Sequence, residues 1–557
     1  MSRVVAAEAS WEGERSGSLA RKPLSLPLAA RVPLVALLIF ALALAPRLLN
    51  RDLFPTSDED SWMRRAGGFT YGLATGQLGR TYQNGHPGVT TMWIATLAQG
   101  PEDALRFADR VHGLRFVGQV PGYLEGLAQA RIGFALLGAA GASVCALLLW
   151  RLFGPLVGVL AGVLLALEPF LVANSQLVHV DGPLTAFTSV AALAAVIRWP
   201  AGGARGYLAL SGVATGLALL SKTPAVYLLG FVPLLAAAAW LRPDHRRTAP
   251  LGGLARDLLL WLALALGTVV ALWPALWALG PAEVFGRVVA FTRETGAQPD
   301  EVGSFFAGQV SGDPGPLYYP VATLFRLTPL VTAGLVALAL LATHLHRRAR
   351  ERVGWLLVFG AGFGLMMTLA PKKFDRYLLP IFPILIGLAA VGLAAAWSWL
   401  VGRAAATSRR LAPLVAAGVL AVALWPIAST YPYPLAYYNP LLGGGAAAQR
   451  TVMVGNGEGL DQAAAWLWSQ SDAAELKVAA HSWDILAALA PIDGEPLREG
   501  VPGDADYIVT YGRRIQMHRW GVSLERYLAT NPPIYTVKIN GIEYVHIHPG
   551  PKRGRQA

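Results

Sequence analysis

The sequence predicts an α-helical polytopic membrane protein of about eleven transmembrane helices, followed by a small α/β domain outside the membrane. Three observations carry this. Of 557 residues, 54% are hydrophobic and only 14% charged, with a mean hydropathy of +0.45; soluble domains hold roughly a quarter charged residues. Apolar runs of bilayer-crossing length recur from residue 32 to residue 430, parted by basic loops. Beyond residue 431 those runs stop and shorter, alternating patterns replace them.

Residues 1–30 are polar and Arg-bearing, with no small-residue cleavage site before a short apolar core. They read as a disordered cytoplasmic tail rather than a signal peptide. Spans are expected near 32–49, 129–150, 154–173, 183–199, 207–221, 224–241, 257–279, 318–343, 354–370, 377–400 and 411–430. Basic residues mark one side of this series: Arg21, Lys22 and Arg31 before the first span, then Arg151, Arg198 with Arg205, and Arg242 with Arg246, Arg247 and Arg256. The run His346 to Arg352 and the group Arg403, Arg409 and Arg410 continue it. Cytoplasmic loops carry the Lys/Arg excess, so the N-terminus is expected inside and, with an odd span count, the C-terminal segment outside. The expected location is the inner (plasma) membrane. The net charge of +12 resides in these loops, which argues against nucleic acid as a partner. A single cysteine, Cys145, excludes an intrachain disulfide and a Cys-based metal site.

Four segments fall on the opposite, extracytoplasmic face: the loop 50–128, the turn Asn174 to Asp181, the loop 280–317, and Pro371 to Tyr377. The first has helical patterns from Asp60 to Leu78 and from Val89 to Leu97. The three expected regions are therefore the tail 1–30, the transmembrane catalytic region 31–430 with its loop 50–128, and the α/β region 431–557. In the last, 458–470 reads as an amphipathic helix, and Lys477–Ala480 and Tyr507–Thr510 as strands. Ile534 to His548 reads as a hairpin turning at Asn540-Gly541, the pair suited to a type I′ turn.

Asp58-Glu59, with Asp60 next, stands directly after the first span. Carboxylates kept at a lipid boundary are expensive and so point to use; the plain alternative is a solvated acidic loop, which suits Asp60 best. Lys372, Lys373 and Arg376 are spaced to share a helical face. Basic residues on the outer face run against the orientation bias, and a bound phosphate near the headgroups is a reason for them. Pairing with lipid phosphates or with Asp375 is the alternative. His86 reads as a ligand, a sugar contact or a loop anchor, and His179 gives a weaker signal. Asp181, before Gly182-Pro183, also reads as a helix cap. No metal or other cofactor is required by this pattern, although a divalent cation is compatible with it.

The residues in order resemble a known family. Asp58-Glu59, His86-Pro87-Gly88, Asn174-Ser175 with Asp181-Gly182-Pro183, Ser221-Lys222, and Arg376-Tyr377-Leu378-Leu379-Pro380 with Pro383 are similar to motifs of the polyprenyl-phosphate-sugar-dependent glycosyltransferases of the C-type membrane fold (GT-C). That superfamily includes the protein O-mannosyltransferases and aminoarabinose transferases, and the likeness is to its family-39-like members. Tyr431 to Gly444 and Gly455 to Leu460 extend it. The resemblance implies an inverting transferase on the outer face, moving one sugar from a polyprenyl-phosphate donor to an acceptor hydroxyl on a glycan, lipid or protein. It implies Asp58 as catalytic base, with Glu59 beside it orienting the pocket or binding acceptor. Lys372, Lys373, Arg376 and Lys222 would hold the phosphate, and Asp181, His86 and Tyr377 complete the substrate-binding set. Two alternatives stand beside this reading: a transporter or flippase of lipid-linked sugars, and an oligosaccharide ligase using a pyrophosphate donor.

Overall fold

A computed structural model describes residues 28–108, 120–242, 251–298, 303–403, 405–498, 500–518 and 520–554. The N-terminal tail through Pro27, with Arg21 and Lys22, and the basic stretch with Arg246 and Arg247 lie outside the described residues. Helices occupy every expected span. Among the described residues, five helices are long and apolar enough to cross a membrane, or six if one bent pair counts as a single span, and Val32–Leu48 and Pro155–Leu167 are shorter apolar helices.

Glycine and proline punctuate the bundle. The helix Tyr123–Phe153 ends at Gly154, whose φ of 96° is open only to glycine at low cost, and Pro155 starts the next helix at its first position, where a missing N–H costs nothing. Small residues let helices touch backbone to backbone. A Cβ at Gly334 would lie 2.6 Å from the Ala389 carbonyl oxygen, which fixes the contact between Pro329–Leu341 and Phe382–Arg403.

Three expected spans are each divided between two α-helices: 154–173 at Glu168-Pro169, 257–279 at Trp273-Pro274, and 318–343 at Thr328-Pro329. Residues 318–343 form two helices, Tyr318–Arg326 and Pro329–His344, bent by 118°. Pro329 has no amide hydrogen to continue the first helix, and the residue before a proline is pushed to extended backbone, as Thr328 is (φ −70°, ψ 156°). Glu168, itself at a Pro-terminated helix break, accepts from Thr328 N (2.9 Å) and Oγ1 (2.8 Å) and so caps the second helix.

A two-stranded ribbon, β1 (Ser304–Phe306) with β2 (Gln309–Ser311), lies in the loop before this bend. The C-terminal sheet contains β3 (Lys477–Ala480), β4 (Asp493–Pro496), β5 (Tyr507–Tyr511), β6 (Tyr535–Ile539) and β7 (Ile542–Pro549) in the order β4-β3-β5-β7-β6. β4, β3 and β5 are parallel, and β7 and β6 antiparallel. The hairpin turns where expected, with positive φ at both Asn540 (50°) and Gly541 (80°), as a type I′ turn requires. Strand β4 was not expected: Asp493-Gly494-Glu495-Pro496 has no β-branched residue and pairs only as an edge strand.

Candidate active site

A cleft of about 840 Å³ opens between the membrane helices and the C-terminal sheet. Cations outnumber carboxylates along its walls, seven to five, so it suits an anionic ligand.

Asp58 stands at the start of the helix Glu59–Ala74, and its side chain is 39% exposed to the cleft. Arg376 Nη2 donates to its Oδ2 at 2.9 Å, and His179 Nε2 lies 3.6 Å from the same oxygen. Asp181, almost wholly buried, begins the helix Asp181–Arg198 without capping it through its side chain. Instead its Oδ1 accepts from Lys222 Nζ at 2.7 Å, while its Oδ2 lies 3.1 Å from His179 Nδ1 and 3.5 Å from Arg376 Nε. Two carboxylates thus share Arg376 and His179. Burial alone would push the Asp58 carboxyl up, but Arg376, then His179 and Lys222, outweigh it and hold it below the ordinary carboxylate range.

Local anchors set these positions. Arg326 Nε donates to Asp375 Oδ2 (2.8 Å), and its Nη1 donates to the carbonyls of Leu435 (2.7 Å) and Tyr437 (2.9 Å), tying the turn before Arg376 to the segment after the last span. Gly88 N donates to Ser221 O (3.1 Å), and the hydroxyls of Thr90 and Ser221 pair at 2.7 Å, which brings the His86 loop beside Lys222. His86 lines the cleft with a buried Nδ1 that has no hydrogen-bond partner among the described residues. Burial, helped by Lys222, pushes its imidazole down to about 3, so it is neutral at physiological pH. Lys222 also lies over the Tyr377 ring (4.1 Å) and Arg376 over Phe374 (4.6 Å). Lys372 reaches the cleft wall, 5.8 Å over the Phe374 ring.

Two expected site residues are not in the cleft. Glu59 is fully buried, and both its oxygens are consumed: Arg131 holds the carboxylate as an ion pair, Val178 N donates at 2.9 Å, and Thr56 donates through N (2.8 Å) and Oγ1 (3.0 Å). Helical geometry turns neighbours about 100° apart, so when Asp58 faces the cleft Glu59 faces the core. Burial would push its carboxyl up, but Arg131 and these donors keep it lowered. Its part is to pin the Asp58 loop to the helix Tyr123–Phe153. Lys373 is likewise buried, bonded to Asp313 Oδ1 (2.5 Å) and Ala370 O (2.8 Å), and clamps the 313 loop instead of reaching ligand. Breaking the Glu59 anchor should be costly. Arg131→Met leaves a buried carboxylate without its cation and is expected to remove about 3–5 kcal/mol of stability. An unchanged melting temperature in detergent would rule out this anchoring role.

Sequence reasoning gave too little weight to His179, noted the loop Gly455–Glu458 only as part of the resemblance without a site role, and missed Arg65 and Arg513-Arg514, all of which line the cleft. The glycine loop joins the two halves: Ser57 Oγ meets Asn456 Oδ1 at 3.3 Å, and Tyr511 donates to Glu458 at 3.2 Å. A signal for His179 existed in its spacing, two residues before Asp181. Nothing local marked Arg65 or Arg513-Arg514. Among the described residues no three His, Cys, Asp or Glu side chains converge as a metal-holding group.

Residues 119–286 match the family model of dolichyl-phosphate-mannose-protein mannosyltransferase. No curated protein matches the chain. Solved structures similar to it include ArnT from Cupriavidus metallidurans bound to undecaprenyl phosphate (16% identity, 94% of this chain and 98% of that one, TM-score 0.47). Archaeal oligosaccharyltransferase AglB from Archaeoglobus fulgidus, in complex with an inhibitory peptide and a dolichol-phosphate, is another (13% identity, 87% and 69%, TM-score 0.44). The S. cerevisiae protein O-mannosyltransferase Pmt1-Pmt2 complex bound to the sugar donor is a third (17% identity, 51% and 40%, TM-score 0.37).

Proposed function

We propose that this chain is an inverting glycosyltransferase that moves one sugar from a polyprenyl-monophosphate donor to an acceptor hydroxyl on the outer face of the membrane. The observation that carries this reading is Asp58, an accessible and ionised carboxylate in a cation-rich cleft walled by membrane helices. The match of residues 119–286 to a family named for a dolichyl-phosphate sugar donor supports it.

The chemistry follows from the residues. Asp58 accepts the acceptor's hydroxyl proton as that oxygen bonds to the anomeric carbon. The bond from that carbon to the phosphate oxygen breaks on the opposite side, and its electron pair leaves with the lipid phosphate. The departing group needs no proton, only cations to hold its growing charge. Lys372, at the rim, and Arg376 and Lys222, deeper in, are the candidates. Asp181 keeps Lys222 and Arg376 in register and, as the second carboxylate, offers stabilisation to an oxocarbenium-like carbon. The direct test is transfer by purified full-length protein, supplied with a panel of polyprenyl-monophosphate sugars and, in parallel, pyrophosphate-linked ones. Cleavage of a monophosphate donor is expected; use of pyrophosphate donors alone would overturn the reading.

Orientation has its own test. With Cys145 replaced by Ala, single cysteines at Asp103 and Lys538 should react with a membrane-impermeant thiol reagent on intact cells, and one at Arg348 should not. Labelling at Arg348 together with protection at Asp103 would invert the topology and move the cleft to the cytoplasm.

A further inference from the structure

The parallel part of the C-terminal sheet has the order β4-β3-β5. From β3 the chain runs through the helix Trp483–Leu489 to β4 on one side, then crosses over to β5 on the other. The loops leaving β3 and β5 therefore diverge, and a crevice opens between their carboxyl ends. Open α/β sheets bind ligands at such a switch point. Here it faces the Asp58 cleft: His481 to Ile485 after β3, Pro496 and Leu497 from the end of β4, and Arg513-Arg514 after β5 all line the cleft wall.

Several features of the crevice are those of a binding site. His481 is largely enclosed, its ring 5.4 Å from Trp520, and its buried Nδ1 has no hydrogen-bond partner among the described residues. Burial, and then the nearby Arg514, push its imidazole down to about 3. Ser482 holds a left-handed backbone (φ 58°), a strained state for a residue with a Cβ that recurs at ligand sites. Gly455, on the cleft wall, and Gly512, just after β5, approach closely; a Cβ on Gly455 would lie 3.3 Å from the Gly512 Cα. Asp484 also lines the cleft, and burial, then Asp60 and Asp58, raise its carboxyl. Arg513 and Arg514 place positive charge on the sheet side of the cleft, across from the membrane-helix side that carries Asp58 paired with Arg376.

We propose that the crevice between the carboxyl ends of β3 and β5 is the acceptor site, and that Arg513 and Arg514 bind an anionic group, phosphate or carboxylate, on the acceptor saccharide. Guanidinium forks recognise both anions through paired, charge-assisted hydrogen bonds. An acceptor held by its anionic group on the sheet side extends its hydroxyl end across the cleft toward Asp58.

Calling the ligand the acceptor rests on the transferase reading; the binding itself does not. The test is an NMR titration of the full-length protein with glucose 6-phosphate, glucuronic acid and glucose. At least one charged sugar should bind ten-fold or more tightly than glucose, and which one does identifies phosphate or carboxylate as the group read. Arg513→Gln with Arg514→Gln should weaken that binding ten-fold or more, while Lys538→Gln, on the exposed hairpin, should leave it unchanged. Equal binding of glucose and both charged sugars, no binding of any, or undiminished binding in the double variant would overturn the assignment. Should the double variant lose its melting transition, Arg513→Lys with Arg514→Lys keeps the charge but not the fork. A several-fold loss is then expected, and none would overturn the proposal. Failure of the wild type to cleave any lipid-linked donor would sink the transferase reading alone and leave this titration intact.

Discussion

Asp58→Asn should lower the turnover of sugar transfer by about 10²-fold or more, the usual cost of losing a general base. Asn keeps the size of the side chain and can still bond to Arg376, whose Nη2 lies 2.9 Å from Asp58 Oδ2, so the variant should fold and melt like the wild type. What it lacks is the capacity to take a proton. The pH profile provides a second reading of the same residue. Because the Asp58 carboxyl is held below its ordinary value, the proton-accepting form persists as pH falls through the usual carboxylate range near ~4. Transfer should stay level there and decline only at lower pH. Activity of Asp58→Asn within a few-fold of wild type, at equal purified protein, would remove Asp58 from the mechanism.

Replacing Arg376 should have a comparable effect by two routes. Arg376→Gln removes the cation at 2.9 Å from Asp58 and 3.5 Å from Asp181, and with it a candidate holder of the leaving phosphate. Loss of preorganised electrostatic stabilisation of a leaving anion typically lowers turnover by about 10²–10³-fold. The Asp58 carboxyl also loses the strongest of the charges that lower it, so the acid limb of the pH profile should move to higher pH. Arg376→Lys keeps a charge without the planar fork and should recover only part of the rate. A normal rate with an unmoved acid limb in Arg376→Gln would mean that the ion pair is only structural. Lys222, bonded to Asp181 at 2.7 Å, would then be the next residue to test.

Much of this architecture is legible in single segments, because the physics behind it is local. Hydropathy over about twenty residues locates a span whatever packs against it. Asn540-Gly541 specifies its turn through the φ angles those two residues tolerate. The boundary position of Asp58 and the Lys372–Arg376 run stand out for the same reason: charge beside lipid is unusual wherever it occurs. The bend at Thr328 was also open to local reasoning, since Pro329 lies inside an apolar run; hydropathy alone passed over it.

Which charges face the cleft was decided only by tertiary structure. Asp58 and Glu59 are neighbours of like chemistry, yet Arg131, 72 residues on, takes Glu59 into the core, while Arg376, 318 residues on, meets Asp58 in the cleft. Lys372 and Lys373 separate in the same way, Lys373 to Asp313 and Lys372 to the cleft wall. His179 acquires its position from two carboxylates 121 and 2 residues away. Arg513 and Arg514 reach the cleft because β5 runs parallel to β3, and the Asn456 loop joins Ser57 across 399 residues. A charged side chain's role depends on the partners within a few ångströms that offset its desolvation. Those partners are brought together by the folded chain and are not encoded in the few residues on either side.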